Sequence, residues 1–207
     1  MNLETAFARV FSTVFHPLFI PTIGTVILFN LNTYISYSTP APAKRFILMV
    51  MFLNTAVAPL LAIYLFKRAG LIKSLEMKDR HERLLPLLAS ALFFMFTYFL
   101  FTRVNLPSIL YYYIMGATLL VLLCLIITFR WKISLHMTSL GGFTGLLIAT
   151  SFLLKTDTTW LIMLSVLISG LVGSSRILLK LHTQAQVYAG FLLGFFVMLA
   201  LYTYLRG

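Results

Sequence analysis

Acidic residues are scarce in this chain. Five Asp and Glu residues stand against sixteen Lys and Arg residues, giving a formal net charge of +11, and charged residues make up 10% of the 207 positions. A site for two divalent cations needs several carboxylate ligands. Only Glu76, Asp79 and Glu82 lie in a basic segment, and all three adjoin basic residues that can neutralise them. We therefore expect neither a metal site nor a cofactor.

Cysteine is scarcer still. Cys124 is the single one and lies within an apolar run, which excludes a disulfide framework. We expect no cleavable signal peptide, because the first apolar run lacks a basic region before it and a small-residue cleavage site after it. No basic soluble module is evident either, so nucleic-acid binding is not expected.

Apolar residues are abundant: they make up 60% of the chain, and the mean hydropathy is +0.97. A soluble domain of this length cannot bury so much apolar surface, whereas an integral membrane protein need not. The length fits one transmembrane domain over residues 1–207. We predict an all-α integral membrane bundle of seven helices, or six if the first lies only at the interface. The predicted spans are about 17–37, 46–66, 84–101, 108–129, 137–154, 159–174 and 183–204.

Three segments richer in polar and charged residues alternate with short connectors. They are Lys67–Arg83, Arg130–His136 and Gly173–His182, and two predicted helices separate each from the next. An even number of crossings returns the chain to the same membrane surface. We therefore expect the three segments to meet, with the functional site at one membrane face.

The third segment places Ser175, Arg176, Lys180, His182 and Gln186 between two long apolar stretches. An arginine at bilayer depth costs roughly 2.5–3.5 kcal/mol on insertion scales, so it is rarely present without a function. Arg176 and Lys180 lie one helical turn apart, as do His182 and Gln186, so each pair can share a helix face. A guanidinium beside an imidazole can bind a phosphate and attack it.

The other two segments offer further cations. Lys132, Ser134 and His136 alternate, which in extended backbone points all three the same way. Arg80 and Arg83 share a face at helical spacing. Each segment also has a simpler interpretation, because an amphipathic connector touches lipid headgroups and a histidine at a helix entrance is commonly an interfacial residue.

The spacing in the third segment resembles a known motif. Ser175-Arg176, five residues, His182, three residues and Gln186 resemble the third motif of the type 2 phosphatidic acid phosphatase superfamily, which includes lipid phosphatases and vanadium haloperoxidases. In that family an aspartate stands at the position of Gln186. A glutamine oxygen can still accept the imidazole N–H, although it stabilises an imidazolium less than a carboxylate does.

The family's other two motifs are matched less closely. Its Pro-Ser-Gly-His is similar to Ile133-Ser134-Leu135-His136 here. Its first motif, a Lys and an Arg-Pro six residues apart, has only loose counterparts, which are Lys78, Arg80, Arg83 and Pro86. That spacing leaves Lys132 as a second candidate for the first motif's lysine.

The resemblance implies a membrane-embedded lipid phosphate or diphosphate phosphatase that needs no metal. It implies that His182 is the nucleophile, that His136 protonates the leaving oxygen and that Gln186 orients His182. The implied phosphate-binding residues are Arg176, Arg83, Arg80, Lys78, Lys132, Ser134 and Ser175.

Two alternatives stay open: a non-catalytic binder or carrier of anionic lipids, and a lipid phosphotransferase that uses the same pocket. Phosphatidic acid, phosphatidylglycerol phosphate and a polyprenyl diphosphate are all possible substrates, and membrane lipids are the expected surroundings. The protein is expected in a cytoplasmic membrane of bacterial type. The Lys and Arg distribution leans weakly towards a cytoplasmic site, whereas many bacterial members of the family face outward. The number of subunits stays open.

Overall fold

The computed structural model describes residues 3–74, 77, 79–104 and 106–204, and in this part of the chain the regular structure is entirely helical. A π-helical turn, Leu53–Val57, joins α4 to α5, and a 3-10 turn, His81–Arg83, precedes α6. The helices are α1 Leu3–Val14, α2 Ile20–Asn30, α3 Tyr34–Ser38, α4 Ala41–Phe52, α5 Ala58–Arg68, α6 Leu84–Thr102, α7 Ser108–Thr128, α8 Leu135–Leu154, α9 Thr159–Leu178 and α10 Gln184–Tyr204.

Six helices in the described residues are long and apolar enough to cross a membrane. This confirms the predicted all-α membrane bundle, with the lower of the two predicted numbers of spans. The predicted ends lie within a few residues of the observed ones, because an apolar run of about 20 residues is what a crossing helix requires. The six are Ala41–Arg68, His81–Thr102, Ser108–Thr128, Leu135–Leu154, Thr159–Leu178 and Gln184–Tyr204.

The first predicted span, 17–37, is wrong as a continuous helix. It consists of α2, which has 11 residues, and α3, which has five. Pro17 lacks an amide hydrogen and disfavours helical backbone at the residue before it. The helix accordingly starts at Ile20, with Pro21 in its first turn.

An additional helix, α1, precedes that break and was not predicted. Its apolar residues Leu3, Phe7, Val10 and Val14 are exposed along one stripe, while Ala8 and Ser12 on another face are buried. The spacing of three to four residues makes α1 amphipathic. It packs against α9.

Close packing of α8 and α10 fixes the architecture at one end of the bundle, here called the charged end. This end carries residues 69–74, 79–80, 129–134 and 179–183. A Cβ atom on Gly141 would lie 2.0 Å from the carbonyl oxygen of Phe191, and one on Gly194 would lie 1.9 Å from that of Thr138. Both contacts are impossible for a larger residue, so these glycines permit the backbones to touch. The N-terminal turns of α8 and α10 are thereby adjacent, and the Ser134 amide donates to the Gln186 carbonyl at 3.4 Å.

Candidate anion site

A cavity of about 170 Å³ opens among the helices at the charged end. Five basic side chains line it: His16, Arg83, His136, Arg176 and His182. None of the described lining residues is acidic. A concave site with several cations and no acidic lining residue is suited to an anion.

The remainder of the cavity is mainly apolar and extends between the helices. Phe94 lies 11 residues beyond Arg83, which corresponds to about 16 Å along a helix. Tyr113, whose hydroxyl donates to the Ile20 carbonyl at 2.9 Å, lies in the same region. Further apolar lining residues are Leu18, Pro21, Ile63, Leu87, Ala117, Leu120, Val121, Phe143 and Met198.

The end of α9 brings His182 back onto Arg176. Lys180 has a φ of 53°, and the amides of Leu181 and His182 donate to the Arg176 carbonyl at 3.1 and 3.3 Å. The Lys180 amide donates to the Ile177 carbonyl at 2.9 Å. This is a Schellman turn with lysine at the left-handed position that glycine usually occupies. The five residues between Arg176 and His182 in the sequence are therefore the number that this turn needs to return the chain to the Arg176 carbonyl.

The turn also corrects one expectation from the sequence. Lys180 was expected to share a helix face with Arg176, but α9 ends at Leu178, and Lys180 lies in the turn with an exposed side chain. The second expected pair does make contact, but not on a shared helix face, because His182 lies in the bend before α10, which begins at Gln184.

Hydrogen bonds define the tautomer of His182. Its Nδ1 lies 2.9 Å from the Gln186 Oε1, and the Thr183 amide donates to the same oxygen at 3.3 Å. Because a backbone amide can only donate, the atom facing it is the glutamine oxygen, and Nδ1 of His182 must carry the proton. Its Nε2 then carries the lone pair and accepts a hydrogen bond from Arg83 Nη2 at 3.5 Å, since a guanidinium can only donate.

Gln186 has a second, structural role. The Thr183 hydroxyl accepts a hydrogen bond from the Gln186 amide at 3.4 Å, while Gln186 Oε1 accepts one from the Thr183 amide. This reciprocal pair is a capping box at the start of α10. The same glutamine therefore starts the helix and orients the imidazole.

Arg83 connects the three polar segments. It is buried, its Nε donates to the Met77 carbonyl at 3.0 Å, and its Nη1 donates to the Ile133 carbonyl at 3.3 Å. With Nη2 beside His182, the guanidinium contacts residues from all three segments. The expectation that these segments meet at one end of the bundle is confirmed.

His136 lies in the first turn of α8 and is buried. Its Nε2 donates to the Ser12 carbonyl of α1 at 2.9 Å, since a carbonyl oxygen can only accept. The ring atom that can interact with a ligand is therefore Nδ1. The expected extended alternation through His136 is wrong, because α8 begins at Leu135, and Ser134 alone keeps the extended backbone.

His16 is the lining residue that sequence reasoning missed. Its ring lies 5.4 Å from that of His136, centroid to centroid, in an edge-to-face arrangement. In the sequence it stands 120 residues away, before a proline, and had no assigned role. The signal that could have found it is the pair Pro17 and Pro21, which breaks the predicted span immediately after it.

His182 and His16, the two histidines outside the membrane-spanning helices, are neutral bases at pH 7. Burial, the neighbouring Arg83 and, more weakly, Arg176 and Lys132 lower the pKa of His182 to about 3, although the hydrogen bond that its Nδ1–H donates to Gln186 opposes this. Burial and Arg176 lower the pKa of His16 to about 4. Removing water and adding like charge both disfavour an imidazolium, so both rings are neutral at pH 7.

The remaining predicted site residues are less central. Ser175 donates its hydroxyl to the Leu171 carbonyl of its own helix at 2.7 Å. Arg80 is directed away, with Nη1 donating to the Arg130 carbonyl. Neither residue lines the cavity. Lys78 lies outside the described residues.

Lys132 and Ser134 are adjacent to the site. Lys132 is half-buried and close enough for its charge to lower the pKa of His182. Ser134 is fully buried, and its hydroxyl has no hydrogen-bond partner among the described side chains and backbone groups. Neither is among the residues that line the cavity.

No group of three or more His, Cys, Asp or Glu side chains within the described ranges is placed to hold a metal ion. The metal independence expected from the scarcity of acids stays a prediction. Asp79 and Asp157 both accept hydrogen bonds from nearby backbone amides, at 3.0 and 2.8 Å.

The contact between Gln186 and His182 predicts that replacing Gln186 changes the pKa of the imidazole. Gln186→Glu keeps the capping box and adds a negative charge beside His182, which should raise the pKa of that imidazole by about 1–2 pH units. The acid limb of any activity that needs neutral His182 should shift upward by the same amount. Histidine NMR titration of the purified protein measures it. Gln184→Glu is the matched control, and an equal shift in both variants would contradict the contact.

Comparison of the chain with protein-family models, with curated proteins and with solved structures finds no significant match. The motif resemblance therefore supports a proposal only together with the geometry of the site.

Proposed function

We propose that this protein is a membrane-embedded phosphatase that hydrolyses lipid phosphates or diphosphates through a phosphohistidine intermediate. The observation that supports it best is the constellation at the charged end. One cavity is surrounded by a neutral His182 with its lone pair on Nε2, a second imidazole, and the buried guanidinium groups of Arg83 and Arg176. The proposed location is a cytoplasmic membrane of bacterial type, which the resemblance favours.

In the first step, Nε2 of His182 attacks phosphorus and the bond from phosphorus to the lipid oxygen breaks. The guanidinium groups of Arg83 and Arg176 stabilise the charge on the non-bridging oxygens. His136 enters this step protonated, and the departing oxygen takes the proton from its Nδ1, because Nε2 of that ring is bound to the Ser12 carbonyl. Gln186 accepts the Nδ1–H of His182 throughout, which keeps the attacking lone pair directed into the site.

In the second step, water attacks the phosphohistidine. His136, now neutral, takes the water proton at Nδ1, the bond between phosphorus and His182 breaks, and inorganic phosphate leaves. Both histidines return to their starting states. The first step needs His182 neutral and His136 protonated at the same time, so the rate should fall at both extremes of pH.

The shape of the cavity supports a lipid substrate. Its cationic residues lie at the charged end, and its apolar residues continue between α6, α7 and α8. A molecule with an anionic head and an apolar chain has the same distribution of polarity. Phosphatidic acid, phosphatidylglycerol phosphate and a polyprenyl diphosphate all satisfy it.

A variant that shortens the apolar part of the cavity should discriminate against substrates with long lipid chains. Ala117→Phe adds a ring to a half-buried lining position of α7. We expect kcat/KM for a long-chain lipid phosphate to fall about tenfold or more, the effect of about 1.4 kcal/mol, while a short-chain analogue is much less affected. Leu119→Phe, on the exposed face of the same helix, is the control. Equal losses for both chain lengths would argue against a chain in this cavity.

A non-catalytic binder of anionic lipids is the second candidate, and one observation favours it. Gln186 is neutral and already held by the capping box with Thr183, so it stabilises an imidazolium less than a carboxylate would. The same arginines would then hold a lipid headgroup.

A phosphate-release panel tests the proposal. The purified protein in nanodiscs is incubated with each of the three lipids, with and without EDTA, beside empty nanodiscs. We expect release from at least one lipid, unaffected by EDTA. Binding of these lipids without release over hours would favour the binder, and loss in EDTA that Mg²⁺ restores would contradict the mechanism.

A further inference from the structure

We infer that His16 is a third histidine of the anion site and donates its Nε2–H to the bound phosphoryl group. The inference rests on the proposed function for the identity of the anion. It gives the segment between α1 and α2, residues 15–19, a role in binding the anion.

The position of His16 supports this. It lies between α1 and α2, half-buried, and lines the same cavity as Arg176 and His182. Its ring packs edge-to-face on His136, with an interplanar angle of 78°. Arg176 is close enough for its charge to act on His16.

Hydrogen bonding indicates which nitrogen of the His16 ring can donate to a ligand. The Leu18 amide donates to Nδ1 of His16 at 3.4 Å. Nδ1 is therefore an acceptor, and the proton of the neutral ring lies on Nε2. By the same reasoning, neutral His182 and His136 offer lone pairs at Nε2 and Nδ1. When all three imidazoles are neutral, only His16 offers an N–H to an oxyanion, whereas His136 offers one at Nδ1 only in its protonated form.

The segment that carries His16 also organises the rest of the site. Ser12, four residues earlier in α1, accepts the hydrogen bond that fixes His136. The same helix packs against α9, which carries Arg176. The N-terminal segment thus contributes a side chain and a backbone carbonyl to the site.

A purely structural role for His16 makes a different prediction, because the contact from the Leu18 amide to Nδ1 mimics an Asx turn. Asparagine can accept that amide with its side-chain oxygen but does not reach the position of Nε2. Glutamine places an amide N–H near the position of Nε2 but fits the turn less well. His16→Asn and His16→Gln therefore separate the two roles.

The experiment measures binding of inorganic orthovanadate and inorganic phosphate to the full chain in nanodiscs, together with kcat/KM for the best lipid substrate. His16→Asn should weaken orthovanadate binding about tenfold or more, the loss expected for one hydrogen bond to a charged group. His16→Gln should recover most of that loss. His81→Asn is the control, because His81 is exposed and outside the cavity.

The outcomes separate this inference from the proposed function. Wild-type protein that binds the oxyanions but releases no phosphate would refute the proposed phosphatase activity. In that case the relative affinities of His16→Asn and His16→Gln for orthovanadate still test the inference. Wild-type affinity in His16→Asn, or a larger loss in His16→Gln than in His16→Asn, would overturn the inference alone. Absence of oxyanion binding by the wild type would overturn both.

Discussion

His182→Ala is expected to lower phosphate release from lipid phosphates at least ~10³-fold, the scale on which removal of a catalytic nucleophile acts. The variant loses the Nε2 lone pair, which Gln186 holds in the attacking tautomer. Arg83 and Arg176 remain, so binding of inorganic phosphate should fall about tenfold or less, since only a single polar contact is lost. Release is measured by phosphate assay on purified protein in nanodiscs, and binding by titration.

The matched control is His81→Ala, which removes an exposed imidazole outside the cavity. A substrate labelled in the phosphoryl group should also label the wild-type protein at histidine after alkaline quenching, and should leave His182→Ala unlabelled. Wild-type release by His182→Ala from every lipid tested would exclude His182 as the nucleophile.

The helices could be predicted because the bilayer imposes a simple requirement. A run of about 20 apolar residues must form a helix to satisfy its backbone, and this defined α6 through α10. Counting crossings then placed Arg83, His136 and His182 at one end. The close contact of α8 and α10 at Gly141 and Gly194 follows from the three-dimensional packing, where a larger residue would meet the facing backbone.

The N-terminal part could not be predicted in the same way. Hydropathy gives residues 17–37 the signature of a span, but it does not register the effect of Pro17 and Pro21 on the backbone. The result is a short α2 and a bend that carries His16 to the cavity. His16 has no sequence neighbour with which to form a motif, so only its position in three dimensions reveals it.

Side-chain direction was the other limit. The sequence grouped Ser175 with Arg176, yet the serine hydroxyl bonds to its own helix at Leu171, an option open to any helical serine.

Arg80 and Arg83 were expected to act together, but Arg83 turns inward to His182 and Arg80 bonds to the Arg130 carbonyl. Which of two nearby arginines is buried depends on loop geometry that residue spacing does not specify.

The second large effect is expected at Arg176, which is buried at the end of α9. Arg176→Gln should weaken phosphate binding about 30- to 4,000-fold, because removing one partner of a buried, hydrogen-bonded charge pair costs about 2–5 kcal/mol. It should also raise the pKa of His16 and of His182, since the positive charge of Arg176 contributes to lowering both. Phosphate titration and histidine NMR measure the two effects on the same samples.

Arg176→Lys separates charge from geometry. Lysine retains the positive charge, so the pKa values of His16 and His182 should stay low, but it lacks the planar fork that binds two phosphate oxygens. Its affinity for phosphate should therefore lie between those of the wild type and Arg176→Gln. Lys180→Gln is the matched control, because it removes an exposed cation four residues further along the chain. If Arg176→Gln bound phosphate as tightly as Lys180→Gln, the anion would have to bind elsewhere, because no site centred on this cavity can lose that guanidinium without losing affinity.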